Sequence, residues 1–259
     1  MKKQLLLTTA LFAQCTIYAL AELNPAAPAL LSQGVFRNDC NDNFGVKFGY
    51  VGNFVTADRL KTVTTGAVRT TGYTTNSGIL TLNFWKRIDL YGSVGVFSYD
   101  SNNAIPDVGD VILHSATRTH WGVGLKAVLW EANWAHYGTT YIGANVQYGA
   151  AVRTPVDSAT LNGATATHTL SYTDHSSQYS LGLSHKISCL VPYLGVYWAN
   201  ERGIANGALD GVVSSSNKTR DHFGWFFGTT LLDTGRMSVT AEARFLSETA
   251  LSVGADIRF

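Results

Sequence analysis

Charged residues are scarce in this 259-residue sequence, where Asp, Glu, Lys and Arg make up 14% against roughly a quarter in soluble domains. The formal net charge of +1 excludes a nucleic-acid binder that works through a broad positive field, and also an acidic tail protein. Beyond residue 21 there is no run of about 18 apolar residues, so the sequence predicts no transmembrane helix there. Glycine and aromatic residues are abundant instead, with 25 Gly, 12 Tyr, 12 Phe and 6 Trp, which favours strands and turns.

The first 21 residues have the features of a secretory signal peptide. Lys2 and Lys3 precede an apolar run at residues 5–13, and an A-x-A site ends at Ala21, so cleavage is expected after Ala21. A signal anchor and a lipoprotein signal using Cys15 are the alternatives, although Gln14 fits the second poorly. The sequence therefore predicts an exported protein that is either soluble or a transmembrane β-barrel.

Apolar and polar residues alternate in several segments of about ten residues. The segment at 251–259 places Leu251, Val253 and Phe259 on one face of a strand and Asp256 and Arg258 on the other, because successive side chains point to opposite faces. The same pattern recurs at 44–54, 121–129 and 236–245. The polar face is mostly Gly, Ser, Thr, Asn and Gln, whereas a soluble sandwich exposes many Lys and Glu. The pattern predicts an all-β protein, a transmembrane antiparallel β-barrel of the bacterial outer membrane.

Connection lengths allow the strands to be counted. Short connections at 86–89, 131–137, 188–190 and 232–235 alternate with long polar stretches at 56–77, 99–117, 153–177 and 201–218. Barrels have short periplasmic turns and long outer loops. We therefore expect about ten strands in a barrel over 44–259, or twelve if a long loop holds another hairpin. Residues 22–43 show no pattern and are expected to form an extended N-terminal segment.

Aromatic residues cluster beside the predicted short turns. The four that do so are Trp85, Trp130, Trp134 and Tyr137. Outer-membrane barrels carry girdles of aromatic residues at both membrane interfaces, so we expect these side chains to form the periplasmic girdle. Buried core aromatics would be less confined to the ends of strands.

Motifs for catalysis, nucleotide binding or metal binding were searched for and not found in the sequence, which predicts a protein that is not an enzyme and that has no cofactor and no metal. Two cysteines remain after the predicted cleavage, Cys40 and Cys189. Both map to the periplasmic side, where a disulfide is permitted, but two free thiols or bridges to other chains fit equally. Phe259 ends an alternating strand, as in an assembly signal read by the barrel-assembly machinery.

Several stretches resemble the major outer-membrane porin family of chlamydiae. They are NPAAPAL from residue 24, FGYVGNFV from 48, LNFWKRID from 82, LWE from 129, PYLGVYW from 192, and the end of the chain from GTT at 228 through VTAEAR at 239 to IRF at 257. The resemblance implies a trimeric pore that is disulfide-linked in the cell envelope. This chain is shorter than the family and has Ala132 after Trp130 and Glu131, where the family has cysteine.

The leading hypothesis is a porin, a passive channel for small hydrophilic solutes and ions, with outer-membrane lipid as a partner and no nucleic acid. A closed barrel with a structural or adhesive role is the alternative, because eight-stranded barrels are filled by their own side chains and sixteen-stranded ones leave a channel. Small inward residues such as Gly122, Gly124, Gly182, Ser180 and Ser184 favour open space.

If the apolar sets face lipid, parity directs a group of charges inward. The predicted pore-lining residues are Lys47, Lys126, Lys186, Arg236, Glu242, Arg244, Asp256 and Arg258. Because six of them are basic, the sequence predicts a weak preference for anions, which confined low-dielectric walls reinforce.

Overall fold

The computed structural model describes residues 23–35, 43–62, 68–105, 109–155, 158–161, 164–165, 171–209, 212–219, 221–233 and 235–259. In these residues one 3-10 helix, Ala27–Ala29, precedes thirteen strands. They are β1 (Phe44–Thr62), β2 (Val68–Phe84), β3 (Ile88–Ile105), β4 (Gly109–Asn133), β5 (Thr139–Pro155), β6 (Ser158–Leu161), β7 (Ala164–Thr165), β8 (Ser171–Lys186), β9 (Leu190–Leu209), β10 (Val212–Thr219), β11 (Phe223–Asp233), β12 (Met237–Phe245) and β13 (Glu248–Arg258). In the part of the chain so described, no helix has the length and apolarity to cross a membrane.

Ten of these strands close into an antiparallel barrel. The order β3-β2-β1-β13-β12-β11-β9-β8-β5-β4 is completed by the pairing of β3 with β4. The first and last strands of the barrel meet at one seam, where Lys47 of β1 lies opposite Arg258 of β13. The predicted fold class and the count of ten strands are therefore confirmed.

The remaining three strands belong to the outer connections. β6 pairs with β4 and with β7, while β10 pairs with β9 and with the outer end of β1. Because β11, β12 and β13 are short, β10 continues the wall of the sheet beyond them, between β9 and β1.

The stretches predicted as long outer loops consist largely of strand. β1 continues to Thr62, β3 to Ile105, β5 to Pro155 and β9 to Leu209. These extensions lack the regular apolar alternation that marks the membrane-facing part. A ladder of backbone hydrogen bonds needs no apolar face, so hairpins continue where the membrane pattern ends.

Side-chain exposure alternates along the barrel strands as predicted. In β12, Met237, Val239 and Ala241 are exposed while Ser238 and Thr240 are buried. The exposed set is apolar around the barrel, and the inward set is mostly polar. An apolar exterior around a polar interior is the arrangement of a membrane-spanning barrel.

Two belts of exposed aromatic residues border this apolar surface. The belt beside the short turns contains Trp85, Trp130, Trp134 and Tyr137, as the sequence predicts. The other includes Trp121, Tyr148, Tyr179, Trp198 and Trp225, and the rings of Trp121 and Tyr148 are tilted to each other at 5.9 Å between centroids. On β4 the two belts are marked by Trp121 and Trp130. Nine residues at about 3.3 Å each, tilted by 35–45°, span about 20–25 Å, close to the apolar band of outer-membrane barrels.

Candidate channel lumen

Inward basic residues near the periplasmic end are buried, and one of them is neutralised by an ion pair. Lys47 of β1 and Lys126 of β4 are both buried, at 4% and 2% exposure. Lys47 forms an ion pair with Asp89 of β3, and the amide nitrogen of Asn83 donates a hydrogen bond to the same carboxylate at 2.6 Å. A charge removed from water in this way is stabilised only by such partners.

Residues 23–35, named here the N-terminal plug, lie inside the barrel. Lys126 donates from Nζ to the carbonyl oxygen of Leu23 at 2.7 Å, and Arg258 donates to the carbonyl of Leu31 at 2.5 Å. The backbone nitrogen of Val35 donates to the carbonyl of Arg258 at 2.8 Å. The plug therefore enters at the periplasmic seam, and Leu23 is its deepest described residue.

Apolar contacts hold the plug at two levels of the lumen. Leu23 packs with Val51, Ile79 and Tyr91. Nearer the periplasm, a second cluster consists of Ala26, Leu30, Leu31, Val128, Tyr141, Val191 and Leu232. Burying a Leu side chain stabilises a structure by about 1.5–3 kcal/mol. These contacts therefore supply much of the free energy that holds the plug in the lumen.

Asn24 is the polar anchor of the plug. It is completely buried and has a left-handed backbone, with φ of 47°. Its amide nitrogen donates to Thr230 of β11 at 3.0 Å, while its amide oxygen accepts from Ser184 of β8 at 2.9 Å and from the backbone of Ala26 at 3.1 Å. One side chain thereby links two strands on the wall to the turn of the plug.

Two glycines that pair across β5 and β8, Gly143 and Gly182, lie where the plug approaches the wall. Their neighbour on β9, Gly195, instead faces the ring of Phe226. A Cβ atom on Gly143 would lie 2.7 Å from the backbone nitrogen of Ala26, and one on Gly182 would lie 3.1 Å from the ring of Pro25. At Gly143 the close approach of plug backbone thus requires glycine.

The outer half of the lumen contains a set of contacts between wall residues, named the Arg244 cluster, around completely buried Arg244. Arg244 forms ion pairs with Glu248 at 2.8 Å and Glu242 at 3.8 Å. It also donates to Ser252 at 3.0 Å and to Asn53 at 3.3 Å. All of these partners belong to the wall.

Tyrosine rings extend the Arg244 cluster along the wall. Tyr193 donates to Glu242 at 2.9 Å, and Tyr73 donates to Glu248 at 3.4 Å. Since each tyrosine comes from a different strand than the carboxylate it contacts, the cluster ties β2, β9, β12 and β13 together.

The predicted pore-lining residues all lie on the inward set. Lys47, Lys126, Glu242, Arg244 and Arg258 are buried, and Lys186, Arg236 and Asp256 are half-buried. Among the residues whose side chains the structure describes, reasoning from sequence missed three inward carboxylates, Asp89, Glu201 and Glu248, and one inward cation, Arg118 opposite buried Phe97. The surplus of positive charge is therefore smaller than the sequence predicts.

Small inward residues do not leave the open space expected of them. The ring of Tyr91 occupies the position where Gly124 would carry a side chain, and Tyr193 does the same at Gly228. Gly182 faces Pro25 of the plug, and Ser184 bonds Asn24. The physical reason is that a small residue on one strand makes room for a larger group from its neighbour or from the plug.

The sequence does contain a signal for the plug. Val51, Ile79, Val128, Val191 and Leu232 lie on the inward face, where a water-filled lumen favours polar residues. Each of them packs against the plug clusters. An apolar residue out of phase with the lipid-facing set thus marks a place where something inside the barrel covers it.

The other predicted sites fall at the periplasmic end. Phe259 is 43% exposed, and its backbone nitrogen donates to the carbonyl of Val46 at 2.8 Å. Cys189 is an exposed free thiol in the turn between β8 and β9. Cys40 and the predicted signal peptide lie outside the described residues. In the described portion, no group of three or more His, Cys, Asp or Glu side chains could hold a metal ion.

The closed barrel, its apolar exterior, the aromatic belts and the charged interior define an integral outer-membrane β-barrel protein. The chain is 25% identical to the major outer membrane porin, serovar F, of Chlamydia trachomatis, over an alignment of 390 positions that covers 99% of both chains. It is 26% identical to the major outer membrane porin of Chlamydia psittaci, covering 99% of this chain and 100% of the relative. Its curated homologues are thus chlamydial major outer membrane porins, and no family model matches the chain.

Solved structures of outer-membrane barrels are also similar. The translocator domain of the autotransporter NalP from Neisseria meningitidis aligns with a TM-score of 0.40 at 10% identity, covering 85% of this chain and 90% of that one. The COG4313 outer membrane channel from Pseudomonas putida F1 aligns with a TM-score of 0.33 at 16% identity, covering 85% and 99%.

Proposed function

We propose that the protein is a porin, a passive outer-membrane channel through which small hydrophilic solutes and ions diffuse. The observation that carries this proposal is similarity to major outer membrane porins over 99% of the chain. A polar, charged lumen inside an apolar exterior supports it, because such an interior suits water and solutes. The channel has no need of a catalytic residue or a cofactor.

The residues proposed to line the pathway are the inward charges of both halves. Lys47, Lys126 and Arg258 belong to the periplasmic half, and Glu242 and Arg244 belong to the outer half. Since Asp89 and Glu248 neutralise part of the basic set, we propose only a slight preference for anions.

A closed barrel with a structural or adhesive role is the second candidate. It is favoured by the plug, which fills the periplasmic half, and by the Tyr91 and Tyr193 rings, which fill the space beside glycines. The two candidates differ in whether water ever forms a continuous path through the lumen.

Planar-bilayer recording of the purified, heat-modifiable protein separates the two. A porin gives stepwise current in KCl, in the wild type or in a variant whose residues 23–34 are replaced by Gly and Ser. Silence of both proteins, each shown to be a folded barrel, would exclude the porin and leave the closed barrel.

We also propose partners for the barrel other than membrane lipid. The resemblance supports a homotrimer. The Cys189 thiol is free and exposed, which supports a disulfide as a proposal, with Cys40 or with other envelope proteins as the partner. Phe259 is proposed as the signal for the barrel-assembly machinery. Deleting Phe259 should reduce the heat-modifiable barrel in the outer membrane, whereas normal amounts would contradict that role.

A further inference from the structure

We propose that the N-terminal plug is a gate that closes the periplasmic half of the lumen when docked and opens it when it withdraws toward the periplasm. The inference rests on the proposed function, since a gate requires a channel. It assigns to residues 23–35 control over when that channel conducts.

The plug spans the whole bore. Its thirteen residues contact all ten barrel strands. The wall residues involved are Val51, Ile79, Asn83, Tyr91, Lys126, Val128, Tyr141, Gly143, Gly182, Ser184, Val191, Thr230, Leu232, Glu242, Gly254 and Arg258. Contacts with the wall on every side place the plug across the lumen at this level. A docked plug therefore blocks the passage of hydrated solutes.

The plug is attached in a way that allows it to leave as a unit. It forms no strand ladder with the wall. Its backbone is held by side-chain donors from the wall, Lys126, Arg258 and Asn83, and by two backbone bonds at its periplasmic end, from Gln33 to Gly235 and from Val35 to Arg258. Undocking thus breaks separate contacts and leaves the cooperative hydrogen-bond network of the barrel intact.

The wall keeps its own structure without the plug. The Lys47–Asp89 ion pair and the Arg244 cluster join strand to strand. Lys126 lies 5.9 Å from the centre of the Tyr91 ring, which gives its ammonium a second contact on the wall. The carbonyls of the plug, once outside, are satisfied by water.

The path of the plug sets the direction of movement. Val35 lies at the periplasmic seam beside Arg258, and Leu23 lies deeper, beside Val51 and Gly254. Withdrawal toward the periplasm moves Leu23 along the lumen and past no barrel strand.

A substitution on the wall tests the gate without altering the plug. Gly143→Val places a side chain where Ala26 and Pro25 approach, so the docked state should be disfavoured and the open fraction in planar bilayers should rise at least tenfold. Ala144→Val is the matched control, because its side chain is on the outward set one residue away. It should leave the open fraction unchanged.

A reversible crosslink tests the opposite prediction, that a plug held in its docked position keeps the channel closed. Ser32 of the plug and Cys189 line the same cavity of about 280 Å³. In a Cys40→Ser background, Ser32→Cys is joined to Cys189 with a short bis-thiosulfonate reagent, which should abolish openings, and reduction should restore them. The same background without Ser32→Cys is the control for the reagent.

The outcomes separate the gate from the channel. Equal open fractions in wild type and Gly143→Val, or openings that persist in the crosslinked protein, overturn the gate while the porin stands. Silence of every variant, including the one with residues 23–34 replaced, overturns the proposed function and the gate with it. If Gly143→Val does not fold, the crosslink alone decides.

Discussion

Inward basic residues make different kinds of contact in the two halves of the lumen. In the periplasmic half, Lys126 and Arg258 donate to backbone carbonyls of the plug. In the outer half, Arg244 contacts only wall residues, among them Glu248 and Asn53. Lys126 and Arg258 are bound to a removable segment, whereas Arg244 is bound to the barrel itself. The same alternation of apolar and polar residues therefore produces a lumen that is filled by a removable segment in the periplasmic half. In the outer half, side chains of the wall itself fill the lumen.

The largest effect on barrel stability should come from Arg244→Ala. It leaves Glu242 and Glu248 buried without their cation, and breaking a buried ion pair costs about 3–5 kcal/mol. The midpoint of urea unfolding of the refolded barrel should fall accordingly. Lys126→Ala, which loses its bond to the plug, should lower the midpoint much less. Equal losses of stability in the two variants would contradict the claim that Arg244 stabilises the wall whereas Lys126 holds the plug.

Asn24→Ala and Asn53→Ala compare two completely buried asparagines. Losing the bonds of Asn24 to Thr230 and Ser184 should weaken plug docking by about 1–3 kcal/mol, which corresponds to about a 5- to 150-fold higher open-to-closed ratio. The unfolding midpoint should barely change. Asn53 bonds Thr75 and accepts from Arg244, so its loss should lower the midpoint and leave the open fraction unaltered. A reversed pattern would contradict both assignments.

The smallest effect is expected at the periplasmic mouth. Lys186 is half-buried beside Ser32 and Cys189, where salt screens its charge over about 8 Å under physiological conditions. Lys186→Glu should shift the reversal potential in a KCl gradient by a few millivolts toward cations. Lys186→Gln should give about half that shift. No shift in either would remove Lys186 from the ion pathway.

The barrel could be predicted from the sequence because contact with lipid requires an apolar residue at every second position of a strand. Outward positions such as Leu251 and Val253 must be apolar, and ten such segments separated by short and long connections define ten strands. Three inward carboxylates were missed for local reasons. Asp89 lies in the connection predicted at 86–89, although β3 begins at Ile88. Glu248 begins β13, ahead of the alternating segment at 251–259, and Glu201 lies in a stretch predicted as a loop, in which β9 continues.

The plug could not be predicted in the same way. Residues 23–35 pack through single contacts of different kinds, the left-handed Asn24, the Pro25 ring and the Leu30 and Leu31 side chains. Such a segment has no period. Its partners are distant in sequence, as in the bond of Asn24 to Thr230, so only the out-of-phase Val51 and Ile79 indicate it.

The central claim, that current passes through the lumen of this barrel, is tested most directly by thiol labelling during single-channel recording. Ser93 is buried on the inward face of β3, and its neighbour Val94 is 60% exposed toward lipid. In a Cys40→Ser, Cys189→Ser, Gly143→Val background, a charged methanethiosulfonate reagent should reduce the current of Ser93→Cys and leave that of Val94→Cys unchanged. Undiminished current through Ser93→Cys would contradict the account.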